Sequence, residues 1–232
     1  MKTVFWLLDV NYEVKEHKPE IWIWGIDEKG QRVLIIERNF TFYFYLVLKE
    51  GQDTKRVIED INSRKTEEFP SIFKIEQVKR KYFGKPVDAV KVFCESPEVI
   101  AKYAKAMAKI EGVKESLEDD IRYSMRYLID NGMSPCGWYE IEVEETNNTL
   151  GVQVNKLYIV KSPPKSIEKL DVPQLRILGF SIVAYSPKGA PKPEKNPVVV
   201  ISVVTNSGAE TQFVAQNFND KPVLETFIKC VR

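Results

Sequence analysis

A basic stretch interrupted by aromatic rings is the part of the sequence that most directly suggests chemistry. Between positions 74 and 91, six cations stand against two acids, and Tyr82 and Phe83 interrupt the basic run. The cations are Lys74, Lys79, Arg80, Lys81, Lys85 and Lys91. Cations neutralise phosphates and exposed rings stack on bases, so this pattern is typical of a groove that follows a phosphate backbone. A solvated connection between two strands has the same composition and remains open as an alternative.

The total charge hides this segregation. The 232 residues include 34 Lys and Arg against 33 Asp and Glu, a net charge of +1, which by itself indicates no nucleic-acid partner. Acids gather at Glu115, Glu118, Asp119 and Asp120, just before a predicted helix whose N-terminus favours negative charge. Charge is therefore segregated along a chain that is neutral in sum.

Cysteine and histidine usage excludes several kinds of site. Cys94, Cys136 and Cys230 lie far apart without a CxxC pair, which argues against a disulfide scaffold or a structural zinc site and fits a reducing cytosol. The single histidine, His17, stands in a polar segment that we predict to be a solvated turn. We therefore expect a cytoplasmic protein with no metal site in this chain.

The elements that must position these residues alternate between strands and helices. The apolar run from Thr3 to Val10 is too short to span a membrane and lacks a small-residue cleavage site, so we predict a buried strand and no membrane association. Further predicted strands are 20–26, 32–36, 42–48, 72–78, 87–93 and 113–117. Helices are predicted from Asp53, from Ser96-Pro97 to Ile110, and over 120–130. The order over 42–117 is that of a split βαβ unit.

Beyond Pro135 the pattern changes. Residues 138–145 and 152–160 alternate like a hairpin, and further strands are predicted over 175–184, 198–205 and 211–215 before a helix at 224–231. The sequence therefore predicts a domain over 1–132 and the beginning of a second one over 133–232.

Several motifs in register resemble the archaeal family B DNA polymerases. The most specific is Arg126-Tyr-Leu-Ile-Asp-Asn-Gly-Met-Ser-Pro135, which is similar to the stretch that ends the N-terminal domain in that family. Further similar segments are Leu8 to Tyr12, Arg38 to Tyr45, Tyr82 to Pro86 and Leu175 to Phe180, the last resembling the strand that opens the family's proofreading exonuclease domain. Each motif alone is weak, whereas the set is specific and covers nearly the whole chain.

The resemblance implies a pocket that captures uracil in the template strand. Carried over by position, the residues that keep the family's types are Tyr12, Tyr43, Ile121 and Arg126, and those that depart from them are Phe42 for a proline, Ala89 for a valine and Tyr123 for a phenylalanine. A flipped-out base needs apolar walls, backbone groups that read its edge, and a cation. The tyrosines could equally be ordinary sheet aromatics, and Arg126 could simply pack against its own helix. The DNA backbone is expected to contact Lys79, Arg80, Lys81 and Lys85.

The resemblance also predicts a lost nuclease. The family's proofreading site holds two metal ions on an Asp-x-Glu pair, and Ser181 and Val183 stand at those two positions here. Neither side chain can replace a chelating carboxylate, and Glu194 in the following loop is a poor substitute. This loss is typical of the divergent second family B polymerase of crenarchaea.

These observations predict an α+β chain. Its N-terminal mixed domain would contain a ferredoxin-like split βαβ unit, followed by the opening sheet of a ribonuclease-H-like exonuclease domain. We interpret the chain as the template-binding N-terminal portion of a DNA-directed DNA polymerase, either a fragment or the product of a split gene, that neither proofreads nor polymerises alone. Its expected partners are single-stranded template DNA and the remaining polymerase polypeptide, with Mg²⁺ expected only in the polymerase domain. The alternatives are a non-catalytic accessory or scaffold protein, or an orphaned domain without activity.

Overall fold

The computed structural model describes residues 1–15 and 18–231, which divide into two compact units, Met1–Pro173 and Gln174–Arg232. The predicted turn at His17 lies outside the described residues. In the first unit the strands are β1 (Lys2–Lys15), β2 (Lys18–Asp27), β3 (Arg32–Glu37), β4 (Phe42–Leu48), β5 (Ile72–Tyr82), β6 (Lys85–Cys94), β7 (Val113–Leu117), β8 (Trp138–Thr146), β9 (Lys156–Val160) and β10 (Lys165–Ser166). The helices of this unit are α1 (Thr54–Arg64), α2 (Ile100–Met107) and α3 (Tyr123–Asp130).

One sheet of the first unit closes on itself. Its order is β1-β2-β3-β9-β8-β10, and β8 also pairs with β1, so five strands form a ring. The strands approach closely at Gly25, where a Cβ atom would lie 2.7 Å from both a ring carbon of Phe5 and the carbonyl oxygen of Trp6. Only a residue without a side chain fits this crossing, which fixes how β2 lies on β1.

The second sheet carries the residues of greatest interest. Its order is β5-β6-β4-β7, and every neighbouring pair is antiparallel. Because successive side chains of a strand point to opposite faces, β4 presents Phe42, Phe44 and Leu46 to one face and Tyr43 and Tyr45 to the other. The first set belongs to the main apolar core with residues of α1 and α2, so we call that side the helix-covered face. Complete burial of a side chain such as Phe44 stabilises the fold by about 2 kcal/mol.

Local capping explains where the helices begin. The Asp53 carboxylate accepts a hydrogen bond from the Lys55 amide (3.0 Å) ahead of α1. The Ser96 hydroxyl accepts one from the Glu98 amide (3.2 Å), and Pro97 opens a single 3-10 turn before α2. These two starts follow the sequence signals. The third helix starts at Tyr123 rather than at Asp120.

The second unit is smaller. It contains β11 (Leu178–Ala184), β12 (Val198–Thr205), β13 (Glu210–Val214) and α4 (Lys221–Val231). The three strands form one antiparallel sheet with β12 in the middle. Ile201 and Val203 of β12 form the apolar core of this unit together with Val223 of α4.

The two compact units divide between Pro173 and Gln174, whereas the sequence predicts a domain boundary at 132/133. The reason is strand pairing: β8 pairs with β1, and β9 pairs with β3 in parallel. Residues 138–160 therefore complete the closed sheet of the first compact unit. The mixed α+β character predicted from the sequence is confirmed, with more strand than helix. Among the described residues, no helix has the length and apolar character needed to cross a membrane.

Candidate nucleic-acid interface

Three of the seven predicted pocket residues meet around Tyr123. This ring is buried, with 2% of its surface exposed, and contacts Phe42 with 5.4 Å between ring centroids. Tyr12 of β1 packs edge-on against it at 5.6 Å and keeps 39% of its surface exposed. The Tyr123 hydroxyl donates a short hydrogen bond to the carbonyl oxygen of Phe40. These residues form an aromatic cluster that reaches solvent at Tyr12.

Tyr43 and Arg126 form a second, separate cluster. Arg126 is 3% exposed, and its guanidinium carbon lies 4.4 Å from the centroid of the Tyr43 ring. Its Nη1 donates to the Tyr43 hydroxyl (3.2 Å) and to Oε2 of Glu118 (2.6 Å), while the Tyr43 hydroxyl donates to the Asp130 carboxylate (2.7 Å). Arg126 therefore ties α3 to β4 and does more than pack against its own helix.

Burial changes the titration of the rings in both clusters. It raises the pKa of Tyr43 above the ordinary tyrosine value, and the hydrogen bond to Asp130 raises it further. Burial, together with the nearby Glu37 carboxylate, raises the pKa of Tyr123 and of Tyr127. All three phenols therefore stay protonated well above neutral pH.

The remaining pocket residues, Ala89 and Ile121, do not enter either cluster. Ala89 is buried in β6, where it pairs with Val47 and Val78. It shares a face with Tyr43, but the residue opposite Tyr43 is Phe93, four positions or about 13 Å further along the strand. Ile121 is half-buried just before α3. The structure therefore distributes the predicted pocket over both sides of β4.

The four predicted backbone-contacting cations are also divided between two faces. The β5–β6 pairing places Arg80 opposite Val87, and Lys85 opposite Tyr82. Lys79 and Lys81 alternate with Arg80 along β5, so they point to the opposite, helix-covered side. Lys79 there approaches Asp88 at 4.0 Å. The cations that are continuous in the sequence are therefore divided between the two faces of the β5–β6 hairpin.

Sequence reasoning missed an arrangement that we call the aromatic face, defined by Tyr43, Tyr45 and Phe93. The ammonium group of Lys91 lies 3.6, 5.9 and 4.8 Å from the centroids of these three rings, respectively. Burial lowers the pKa of Lys91, which marks a partly desolvated ammonium group. The signal was available, since rings stand at the alternate positions 43 and 45, and a cation and a ring stand at 91 and 93, but only strand pairing brings them together.

In the second unit, Ser181 and Val183 lie on one face of β11. They pair with Ser202 and Val200 of β12. A shallow groove of about 660 Å³ covers Ser181 and Ser202, and its further lining includes Gln212 and Glu210 of β13. Gln212 Nε2 donates to the Ser202 hydroxyl (3.1 Å). The groove has Ser, Thr and Gln side chains and a single carboxylate, Glu210, and these do not supply the several carboxylate oxygens that a two-metal site requires.

Comparison with known proteins gives consistent matches. Residues 115–230 match the profile described as DNA polymerase family B, exonuclease domain. The chain is 35% identical over 224 residues to DNA polymerase 3 of Saccharolobus shibatae, covering 97% of this chain and 28% of that protein. It is 31% identical over 232 residues to DNA polymerase 2 of Aeropyrum pernix, covering 98% and 29% respectively.

A solved structure matches over almost the same span. The family B DNA polymerase from the hyperthermophilic archaeon Pyrobaculum calidifontis superposes with a TM-score of 0.79 at 33% identity, covering 98% of this chain and 29% of that one. The chain thus spans less than a third of the length of the relatives it matches. The resemblance predicted from the sequence motifs is confirmed: this chain belongs to the family B DNA polymerases.

Proposed function

We propose that this chain is the template-binding N-terminal portion of a family B DNA polymerase and that it senses uracil in single-stranded DNA. The observation that carries the proposal is the cluster of Tyr12, Phe42 and Tyr123, whose rings could form the apolar wall of a base pocket. Arg126 supports it by holding Tyr43 on the opposite face of β4. The strand order β5-β6-β4-β7 is the one expected of a ferredoxin-like split βαβ unit, a common platform for nucleic acids.

The same proposal assigns the second unit to the opening sheet of a ribonuclease-H-like exonuclease domain that has lost proofreading. Its support is the side-chain chemistry of β11, where Ser181 and Val183 occupy the alternate positions on one face. The Mg²⁺ that polymerisation requires would be held by the remaining polymerase polypeptide.

Exposed apolar residues favour a protein partner for the second unit. Phe180 and Ile182 are 57% and 51% exposed on one face of the sheet, and Val204 and Val214 are 49% and 62% exposed on the other. Solvent-exposed apolar surface of this kind marks an interaction site. The remaining polymerase polypeptide is the partner we propose. If this chain is instead an accessory or scaffold protein, it would use the same residues to bind its partner. An adjacent reading frame with polymerase motifs would favour the polymerase portion, and the absence of such a frame would favour the accessory protein.

A paired binding titration tests uracil sensing. We expect the chain to bind single-stranded DNA with one uracil about 10-fold more tightly than its thymine equivalent, since the rings exclude the extra methyl group. Arg126→Ala should weaken binding, and Tyr12→Ala should reduce the preference without unfolding the chain, because Tyr12 is 39% exposed. Fluorescence anisotropy at two salt concentrations measures both effects.

The matched control is Tyr185→Ala, which removes a 49% exposed tyrosine from the second unit. It should leave the uracil preference unchanged. Equal affinities of the wild type for the two DNAs would contradict uracil sensing and leave strand binding standing. Failure to bind either DNA at low salt would contradict the template-binding proposal itself.

The lost nuclease gives a second prediction. Pure protein with Mg²⁺ or Mn²⁺ should leave 5′-labelled single-stranded DNA intact, because Ser181 and Val183 cannot hold the metals that activate water. A denaturing gel with and without chelator checks this. Metal-dependent shortening from the 3′ end would overturn the proposal, and Glu210→Gln would then show whether the groove carboxylate supplies the activity.

A further inference from the structure

The aromatic face carries cations directly above its rings. Lys91 lies over all three rings, with its shortest distance of 3.6 Å to Tyr43. The guanidinium carbon of Arg80 lies 5.3 Å from the Tyr45 ring, and Arg80 Nη2 donates to the Tyr45 hydroxyl (3.2 Å). Lys74 lies 5.2 Å from the Phe93 ring. The three rings of the aromatic face are therefore each in cation–π contact with a Lys or Arg side chain.

Two of these cations form no direct ion pair, and carboxylates act on them only at longer range, Asp130 and Glu76 on Lys91 and Glu118 on Arg80. Lys74 forms an ion pair with Glu76 at 2.5 Å. Within residues 1–15 and 18–231, neither Lys91 nor Arg80 forms a salt bridge, and each is instead held over a ring. Their charge is therefore available to a ligand that carries several negative charges.

The rings themselves can be reached if the cations move. Tyr43, Tyr45 and Phe93 are 6–8% exposed. Lys91 and Arg80 lie over these rings on flexible side chains that can move aside, whereas the buried Arg126, 4.4 Å from the centroid of Tyr43, is held by Glu118. The ring centroid of Tyr43 lies 5.5 Å from that of Tyr45 and 5.6 Å from that of Phe93. A ligand that draws the cations towards its phosphates would uncover adjacent flat surfaces.

A single nucleic-acid strand has the chemistry that fits such a face. Its phosphates take the cations, and its unpaired bases offer the flat surfaces that stack on rings. A duplex keeps its bases stacked on each other and would use the cations alone. An acidic peptide would likewise leave the rings without partners.

We propose that the aromatic face binds single-stranded DNA, with Lys91 and Arg80 contacting phosphates and Tyr43, Tyr45 and Phe93 stacking on bases. This inference rests on the proposed template-binding function and names the surface that holds the strand. It moves the backbone contacts from the whole run Lys79, Arg80, Lys81 and Lys85 to one face of the hairpin. The strand would cross β4 and β6 on the face opposite to Phe42.

Two double variants with the same charge change test the surface. Arg80→Gln/Lys91→Gln removes cations from the aromatic face, while Lys79→Gln/Lys81→Gln removes cations from the opposite face of the same hairpin. With labelled oligothymidylate of about 20 nucleotides, the first variant should bind about 10-fold more weakly at low salt. Its salt slope should fall by about 1.4, or 0.7 for each lost phosphate contact. The second variant should change affinity less than about twofold.

Phe93→Leu separates stacking from charge, because it keeps an apolar side chain at that position. It should weaken binding several-fold with an unchanged salt slope. Equal losses in the two double variants, or a larger loss in Lys79→Gln/Lys81→Gln, would overturn the inference. If the wild type shows no binding of oligothymidylate at low salt, the proposed template-binding function fails as well. If Arg80→Gln/Lys91→Gln binds like the wild type and keeps its uracil preference, only the aromatic face is refuted.

Discussion

Raising the pH from 9 to 11 is expected to lower the free energy of unfolding by about 4 kcal/mol through three buried phenols. Tyr43, Tyr123 and Tyr127 are 6%, 2% and 2% exposed, and burial raises the pKa of each above the ordinary value of 10.0. A raised pKa means that the folded state holds its proton more tightly than the unfolded chain. The stability is therefore fully present below pH 10 and is lost as the pH rises beyond it. At pH 11 each phenol contributes a loss of about 1.4 kcal/mol.

Urea unfolding at the two pH values measures this loss, and Tyr127→Phe is the variant that isolates it. The Tyr127 hydroxyl is buried without a hydrogen-bond partner among the described residues, so its removal keeps the packing and deletes one titrating group. The loss between pH 9 and 11 should shrink by about 1.4 kcal/mol in this variant. The same pH dependence in the variant and the wild type would show that this phenol titrates normally in the folded state.

Glu118→Gln is expected to lower the free energy of unfolding by about 2 kcal/mol. It keeps the shape of the side chain but removes the charge that faces Arg126 at 2.6 Å. Arg126 is 3% exposed and cannot recover hydration where it lies, whereas Glu118 is 43% exposed, which reduces the effect below that of a fully buried pair. The variant should also loosen Tyr43, because the same Nη1 donates to its hydroxyl.

An exposed pair provides the control for this charge change. Glu140→Gln breaks the ion pair with Lys2, whose atoms lie 2.7 Å apart while the side chains are 35% and 61% exposed. Its cost should stay below about 1 kcal/mol. Chemical denaturation of both variants at neutral pH measures the two losses. Comparable costs for Glu118→Gln and Glu140→Gln would mean that Arg126 is stabilised mainly by Tyr43 and solvent.

Local signals predicted most of the elements. Ser96 and Pro97 start a helical segment where capping chemistry expects it, and the aromatic run Phe42–Leu48 forms the predicted strand. The predicted ends of an element are wrong by a few residues where packing against neighbouring segments determines them. The strand predicted from Val152 begins at Lys156, since the residues before it form a loop in which Val152 and Val154 pack on Leu157. The sequence could not show that β8 returns to β1, because pairing over such distances leaves no local pattern.

For the candidate site, too, the sequence predicted some properties and only the structure showed the others. The sequence by itself identified the family, the ring and cation types at each position, and the replacement of two acids by Ser181 and Val183. Only the tertiary structure decided which of these groups act together. Strand alternation sends Phe42 and Tyr43 to opposite faces, and pairing brings Lys91 over Tyr43 from another strand. Residue identity sets what chemistry a side chain can do, but register, a property of two strands at once, sets what it meets. The net charge of only +1 therefore conceals an aromatic face on which Lys91 and Arg80 lie over the rings.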